Sequence, residues 1–144
     1  MLTVRDILQG KGNQIWSVSR GSTVFDALQL MADKNVGALL VLDGEKIAGI
    51  FSERDYARKI ILKGKASKDT PVAEIMTAEV TTLRPEQSVE ECMGLMTDKR
   101  IRHLPVLDGE KLVGLISIGD VVKAIISERE FIIKQLESYI TGGR

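Results

Sequence analysis

The chain of 144 residues is written twice. Sliding it by 65 positions lays 18–60 over 83–125 without a gap. Val24, Met31, Leu39, Val41, Asp43, Gly44, Gly49, Ser52 and Asp55 then recur as Val89, Met96, Leu104, Val106, Asp108, Gly109, Gly114, Ser117 and Asp120. A duplication of this kind restricts the fold more than any other feature, because whatever unit one half forms the other forms too. The segment "VRDIL" at 4–8 also resembles "VAEIM" at 72–76, three residues out of phase, since the first half carries the longer connection "QGKGNQIW". The polar stretch "KGKASKDTP" reads as the linker between halves.

Each half has the same coarse reading. A short helical turn at 4–8 or 72–76 opens it. A strand follows, "QIWSV" or "VTTL", where β-branched and aromatic residues collect. Val24, Ala27, Leu28 and Met31 then fall at helical spacing, as do Val89, Cys92, Met93 and Met96. Thr23 with Asp26, and Ser88 with Glu91, have the spacing of a helix start. "GALLVL" and "HLPVL" predict buried strands, "DGEK" a tight turn, and "IAGIFS" and "LVGLIS" the returning strands. A last helix begins at Ser52 and Ser117, with Tyr56, Ala57, Ile60 and Ile61, or Val121, Val122, Ile125 and Ile126, as its apolar face. The expected fold class is α+β: two tandem β-α-β-β-α repeats packed sheet to sheet about a pseudo-twofold axis, since neither half buries both faces of its sheet alone. The repeats are assigned to 1–66 and 67–127, with 128–144 as a C-terminal helical extension.

Composition excludes several classes. Acidic and basic residues balance at 20 each, so no basic footprint for nucleic acid exists. No apolar run approaches the length of a membrane span. The opening "MLTVRDILQ" lacks the pattern of a signal peptide, and the lone Cys92 permits no internal disulfide, so a reducing, cytoplasmic setting is expected. One His and one Cys, with no metal-ligand spacing, offer no catalytic or metal constellation.

"RHLPVLDGEKLVGLISIGDV", preceded by "IMTAEVTTLRPEQSVEECMGLM", resembles a CBS domain, and "VGALLVLDGEKIAGIFSERDYARKI" resembles it as closely. The likeness covers nearly all of 4–126. It implies a paired module, standing alone, that binds an adenosine-containing ligand in clefts between repeats and associates as a homodimer. It also implies that the Gly-x-x-Ser/Thr-x-x-Asp motif holds the nucleotide, Asp on the ribose diol and Ser or Thr facing the phosphate. Here that motif falls on Gly49, Ser52 and Asp55, and again on Gly114, Ser117 and Asp120. The resemblance places adenine against Ile15, Ser17 and Ala38 at the first site, where Gly37 is expected to leave space for a base or a larger ligand. At the second it places adenine against Val80, Thr82, His103 and Pro105, with Arg102 and Ile116 beside them.

Spacing alone favours a plainer reading of Ser-x-x-Asp, a capping box in which Ser bonds the amide three residues on and Asp favours the positive helix end. The two readings are compatible. A helix start also attracts phosphate, by about 0.3–1 kcal/mol, and a carboxylate turned outward to a diol contributes about 1.5–3 kcal/mol per bond. Gly49 and Gly114 are expected to leave bare backbone for a ring to approach. Arg54 has no cationic counterpart in "SIGD" and is a candidate phosphate fork. Arg102 and His103 replace Gly37 and Ala38, so the second site is expected to be the more cationic and the tighter. Trp16 is a candidate for core, interface or base stacking, and Cys92 for a small core residue.

The extension "SEREFIIKQLESYI" continues an apolar stripe through Ile132, Ile133, Leu136, Tyr139 and Ile140. That stripe predicts a homodimer contact. AMP is the preferred ligand. ADP, ATP, NAD(H) and S-adenosylmethionine remain candidates, no catalytic cofactor is expected, and the regulated partner protein is not named by the sequence. The alternative is a dimerisation scaffold without ligand.

Overall fold

A computed structural model describes residues 2–12 and 14–141. The chain divides into two compact units, one of 14–81 and one of 1–13 with 82–144. In the first, β1 (Ser17–Ser19) runs parallel to β2 (Ala38–Asp43), which turns antiparallel into β3 (Lys46–Ser52). Gly44 opens the β2–β3 turn with φ 63°, a conformation glycine adopts without a Cβ penalty. Helix α2 (Val24–Lys34) is capped by Thr23, whose hydroxyl accepts from the Asp26 amide, and stops at Asn35 in the left-handed region. Its Val24, Ala27 and Met31 pack with Leu39, Val41, Phe51, Ile60, Val72 and Ile75 into the unit's core.

After β3 comes the single turn α3 (Glu53–Tyr56), which widens into a π-helical turn over Ala57–Ile61. The widening rotates the expected apolar face. Ile60 is buried, whereas Ala57 and Ile61 are exposed.

The other unit repeats this plan with one loss. Helix α4 (Val89–Lys99), β4 (His103–Asp108), β5 (Lys111–Ser117) and α5 (Ile118–Ile140) follow in order, and β4 pairs antiparallel with β5. The strand expected at "VTTL" shrinks to one parallel bridge, Leu83 to Val106. Pro105 gives the reason. At the equivalent position of the first unit, the Leu40 amide donates to the Trp16 carbonyl at 3.4 Å. Proline has no N–H to donate to a neighbouring strand, so the ladder is short by one rung.

The units are cut differently from the repeats. Helix α1 (Val4–Lys11) packs with the second repeat: the Val4 amide donates to the Gln87 carbonyl at 2.9 Å, and the Val89 amide to the Leu2 carbonyl at 3.0 Å. The short 3-10 turn Val72–Glu74 packs with the first repeat through matching bonds, Val72 to Ser22 at 2.7 Å and Val24 to Thr70 at 2.9 Å. Each repeat thus takes its opening segment from the other's stretch of sequence. Val4, Ile7 and Leu8 of α1 join Val89, Cys92, Met96, Leu104, Val106, Ile116 and Val121 in the core of that unit.

Helix α5 runs unbroken through 23 residues and carries the expected extension to Ile140. Residues 142–144 of that extension lie outside the described residues. Beyond Ile125 its side chains are exposed, with Ile126, Ile132, Ile133, Leu136 and Ile140 between 47% and 80% accessible. No described helix is long and apolar enough to cross a membrane.

Candidate functional site

Both Ser-x-x-Asp motifs sit where a strand of the hairpin passes into a helix, and both form complete capping boxes. Ser52 has extended backbone, φ −126° and ψ 166°, and its hydroxyl accepts from the Asp55 amide at 3.3 Å. In return Asp55 Oδ2 accepts from the Ser52 amide at 3.0 Å and from its hydroxyl at 3.1 Å. Ser117 and Asp120 repeat the exchange at 3.1 and 2.9 Å. Both carboxylates therefore turn back onto backbone, where an outward orientation was expected. The local reason is that orphan amides at a helix start are costly to leave unbonded, and an Asp three residues on reaches them without strain.

The two carboxylates differ in what else they hold. Asp55 is buried. Its Oδ1 accepts from the Thr77 hydroxyl at 3.3 Å and lies 3.2 Å from Lys59 Nζ, which also donates to the Ile75 carbonyl at 2.9 Å. Both oxygens of Asp55 are thus engaged. At Asp120 the cation is Lys11 of α1, whose Nζ lies 2.7 Å from Oδ2 and 2.8 Å from the Leu115 carbonyl. Asp120 Oδ1 has no hydrogen bond among the described residues.

Burial alone would raise the Asp120 carboxyl, but the hydrogen bond and charge of Lys11 and the Ser117 amide outweigh it and hold the group below its ordinary range. A depressed carboxyl stabilises the fold above its unfolded value of about 3.9, and that stabilisation fades as pH falls through the lower folded value. In urea titrations, Lys11→Met is expected to lower the midpoint at pH 7, and the gap from the parent is expected to narrow below about pH 4 to what the Leu115 carbonyl bond contributes. A gap of undiminished size in acid would show that Lys11 acts without the carboxylate.

Gly49 and Gly114 leave room for the chain itself, which replaces the expected approach of a ring. A Cβ on Gly49 would lie 2.7 Å from both Met76 Sδ and the Thr77 carbonyl oxygen. One on Gly114 would collide with the Leu8 methyls. Each motif glycine thus receives the opening segment that the other repeat contributes.

The remaining site candidates fall as follows. Ala38 pairs with Ser52 across the β2–β3 ladder, and the Glu53 amide donates to the Gly37 carbonyl at 3.1 Å. Ser17 lies on the adjoining strand opposite Leu40, with Ile15 just before it. These residues gather at one end of the first unit's sheet. Arg54 is exposed on α3 and forms no ion pair among the described residues. In the second unit His103 pairs with Ser117, and the Ile118 amide donates to the Arg102 carbonyl at 2.8 Å. Pro105 is buried opposite Leu115, and Thr82 is exposed ahead of the Leu83 bridge. Ile116 has no exposed surface and belongs to the core, so its side chain is unavailable to a ligand. Val80 belongs to the other compact unit.

Trp16 is met by Lys34, with Nζ 4.4 Å from the ring centroid. Burial pushes the Cys92 thiol up to about 11, as expected of an inert core cysteine. Among the described residues no cluster of His, Cys, Asp and Glu is placed to hold a metal. Lys11, Lys59 and Thr77 join the two carboxylates from outside the motif that the sequence displays. Lys59 had a signal, standing four residues after Asp55 on one helix; Lys11 and Thr77 had none.

Residues 4–62 and 72–127 each match the sequence profile of the CBS domain. The chain belongs to the CBS domain family. It is 43% identical over 151 residues to the CBS domain-containing protein CBSX3, mitochondrial, of Arabidopsis thaliana, covering 98% of this chain and 73% of that protein. A solved protein with CBS domains from Burkholderia ambifaria is 58% identical, with a TM-score of 0.85 over 87% of this chain and 94% of that one. A hexameric CBS-CP12 protein from bloom-forming cyanobacteria is 31% identical, with a TM-score of 0.74 over 84% and 70%. CBS pairs are typically regulatory modules for adenosine ligands, and relatives built of CBS domains alone are generally regulatory rather than catalytic.

Proposed function

We propose that this CBS pair is an adenine-nucleotide sensor, with Ser117 and Asp120 as its principal site and AMP as its preferred ligand. The observation that carries this reading is Asp120 Oδ1, without a hydrogen bond among the described residues and set at a helix start beside His103 and Arg102. Asp55 has both oxygens engaged, so the first motif, with Arg54 as its phosphate cation, is the weaker site. A ribose hydroxyl on Asp120, the α5 amides toward phosphate and apolar burial of the base together reach about −8 kcal/mol, a micromolar affinity. ADP, ATP, NAD(H) and S-adenosylmethionine share the adenosine and are the competing ligands. Occupancy passes to a partner protein as a reciprocal coupling of about 1–3 kcal/mol. The exposed apolar stripe of α5 pairs with a second copy to give a homodimer, and the buried thiol of Cys92 suits a reducing compartment such as the cytoplasm.

A thermal-shift panel of AMP, ADP, ATP, NAD, NADH and S-adenosylmethionine tests the reading. Ligand at 100 times its dissociation constant adds about 2.7 kcal/mol, a rise of several degrees. The scaffold reading draws on the capping boxes themselves, which stabilise helices with no ligand at all. It predicts no shift with any nucleotide.

A further inference from the structure

We infer that Lys11 is a ligand-selecting residue of the second motif, reading a vicinal diol together with Asp120. The inference rests on the nucleotide reading above and adds a residue from outside the repeat's own motif. An ammonium has three protons to donate. Lys11 gives one to Asp120 Oδ2 at 2.7 Å and one to the Leu115 carbonyl at 2.8 Å, and the third is uncommitted among the described residues. Asp120 Oδ2 also accepts from the Ser117 amide at 2.9 Å, while Oδ1 accepts no hydrogen bond among the described residues. One ion pair therefore presents a free donor beside a free acceptor. Its side chains are 33% and 21% exposed, so the pair is reachable from solvent.

Two neighbouring hydroxyls match that arrangement. One donates to Oδ1, and the oxygen of the other accepts from Nζ. A sugar with a single hydroxyl satisfies half of it. The lysine is aimed by the end of its helix: the Gly12 amide closes α1 on the Leu8 carbonyl at 2.8 Å, and Gly12 leaves the helix at φ 91°. The first motif has a comparable cation in Lys59, but Thr77 and Lys59 both occupy Asp55 Oδ1, so it offers no open acceptor.

Calorimetric titration of the full chain with AMP, 2′-deoxy-AMP and 3′-deoxy-AMP tests the pairing. The parent is expected to prefer AMP by about 10-fold or more over either deoxy form. Lys11→Met is expected to weaken AMP about 10-fold and to shrink the preference to under about 3-fold. Lys11→Arg keeps the charge and the melting temperature, but its fork engages both carboxylate oxygens and is expected to weaken AMP as well. Lys11→Met with all three affinities lowered in parallel and the preference intact would reduce Lys11 to a structural role and overturn the inference. Lys11→Arg binding AMP as the parent does would overturn it too. A parent that binds none of the three nucleotides sinks the sensor reading itself.

Discussion

Gly49→Val is expected to lower the melting temperature by on the order of 10 °C. A Cβ there would lie 2.7 Å from the Thr77 carbonyl oxygen, which is backbone and cannot rotate away as a side chain does. The same oxygen accepts from the Ile50 amide at 3.0 Å, and the Thr77 amide donates back to the Ile50 carbonyl at 2.8 Å. Accommodating valine means pushing the 72–77 segment off β3 and breaking that pair. Overpacking a tight site costs about 1–3 kcal/mol, and the lost bonds place this case at the upper end. At roughly 2–4 °C per kcal/mol the effect is readily measured by calorimetry. Gly114→Val meets only the Leu8 side chain, whose methyls can move within the core, so its loss is expected to be smaller. Equal losses at the two glycines would contradict the distinction between backbone and side-chain contact.

Asp55→Ala is expected to cost about 1–3 kcal/mol, more than Asp120→Ala. Asp55 is buried, caps Ser52 and also holds Thr77, so its removal strips a helix cap and takes the acceptor from the Thr77 hydroxyl, while Lys59 keeps the Ile75 carbonyl. A cap contributes about 1 kcal/mol, and the ion pair and hydroxyl bond, both open to solvent on the Lys59 and Thr77 side, add up to about 1 kcal/mol each. Asp120 is more exposed and accepts from no counterpart of the Thr77 hydroxyl among the described residues, while Lys11, like Lys59, keeps its backbone carbonyl. The measurement is the pair of urea midpoints at pH 7. Asp120→Ala as costly as Asp55→Ala would show that the two motifs are structurally equivalent.

What the sequence displayed and what it hid divide by distance along the chain. The helix stripes, the two-residue turns at Gly44 and Gly109 and the Ser-x-x-Asp capping box follow from residues within a few positions of one another, and the duplication shows at a single fixed offset of 65. Lys59, four residues beyond Asp55, was as local and was overlooked. Thr77 reaches Asp55 across 22 residues and Lys11 reaches Asp120 across 109, because opening segments dock on the opposite repeat. No spacing within one repeat reports such an exchange. The out-of-phase match of 4–8 with 72–76 was its only trace. Pro105 carried a readable consequence, the missing rung before β4, that strand propensity at "VTTL" concealed.

The asymmetry between the two carboxylates is the physical basis of the proposed sensor. Titration calorimetry of AMP into the parent chain, Asp55→Ala and Asp120→Ala puts it to the most direct test. The expected result is a micromolar affinity that Asp120→Ala abolishes and Asp55→Ala largely keeps. Heat of binding that survives Asp120→Ala unchanged, or that is absent from the parent, would contradict it.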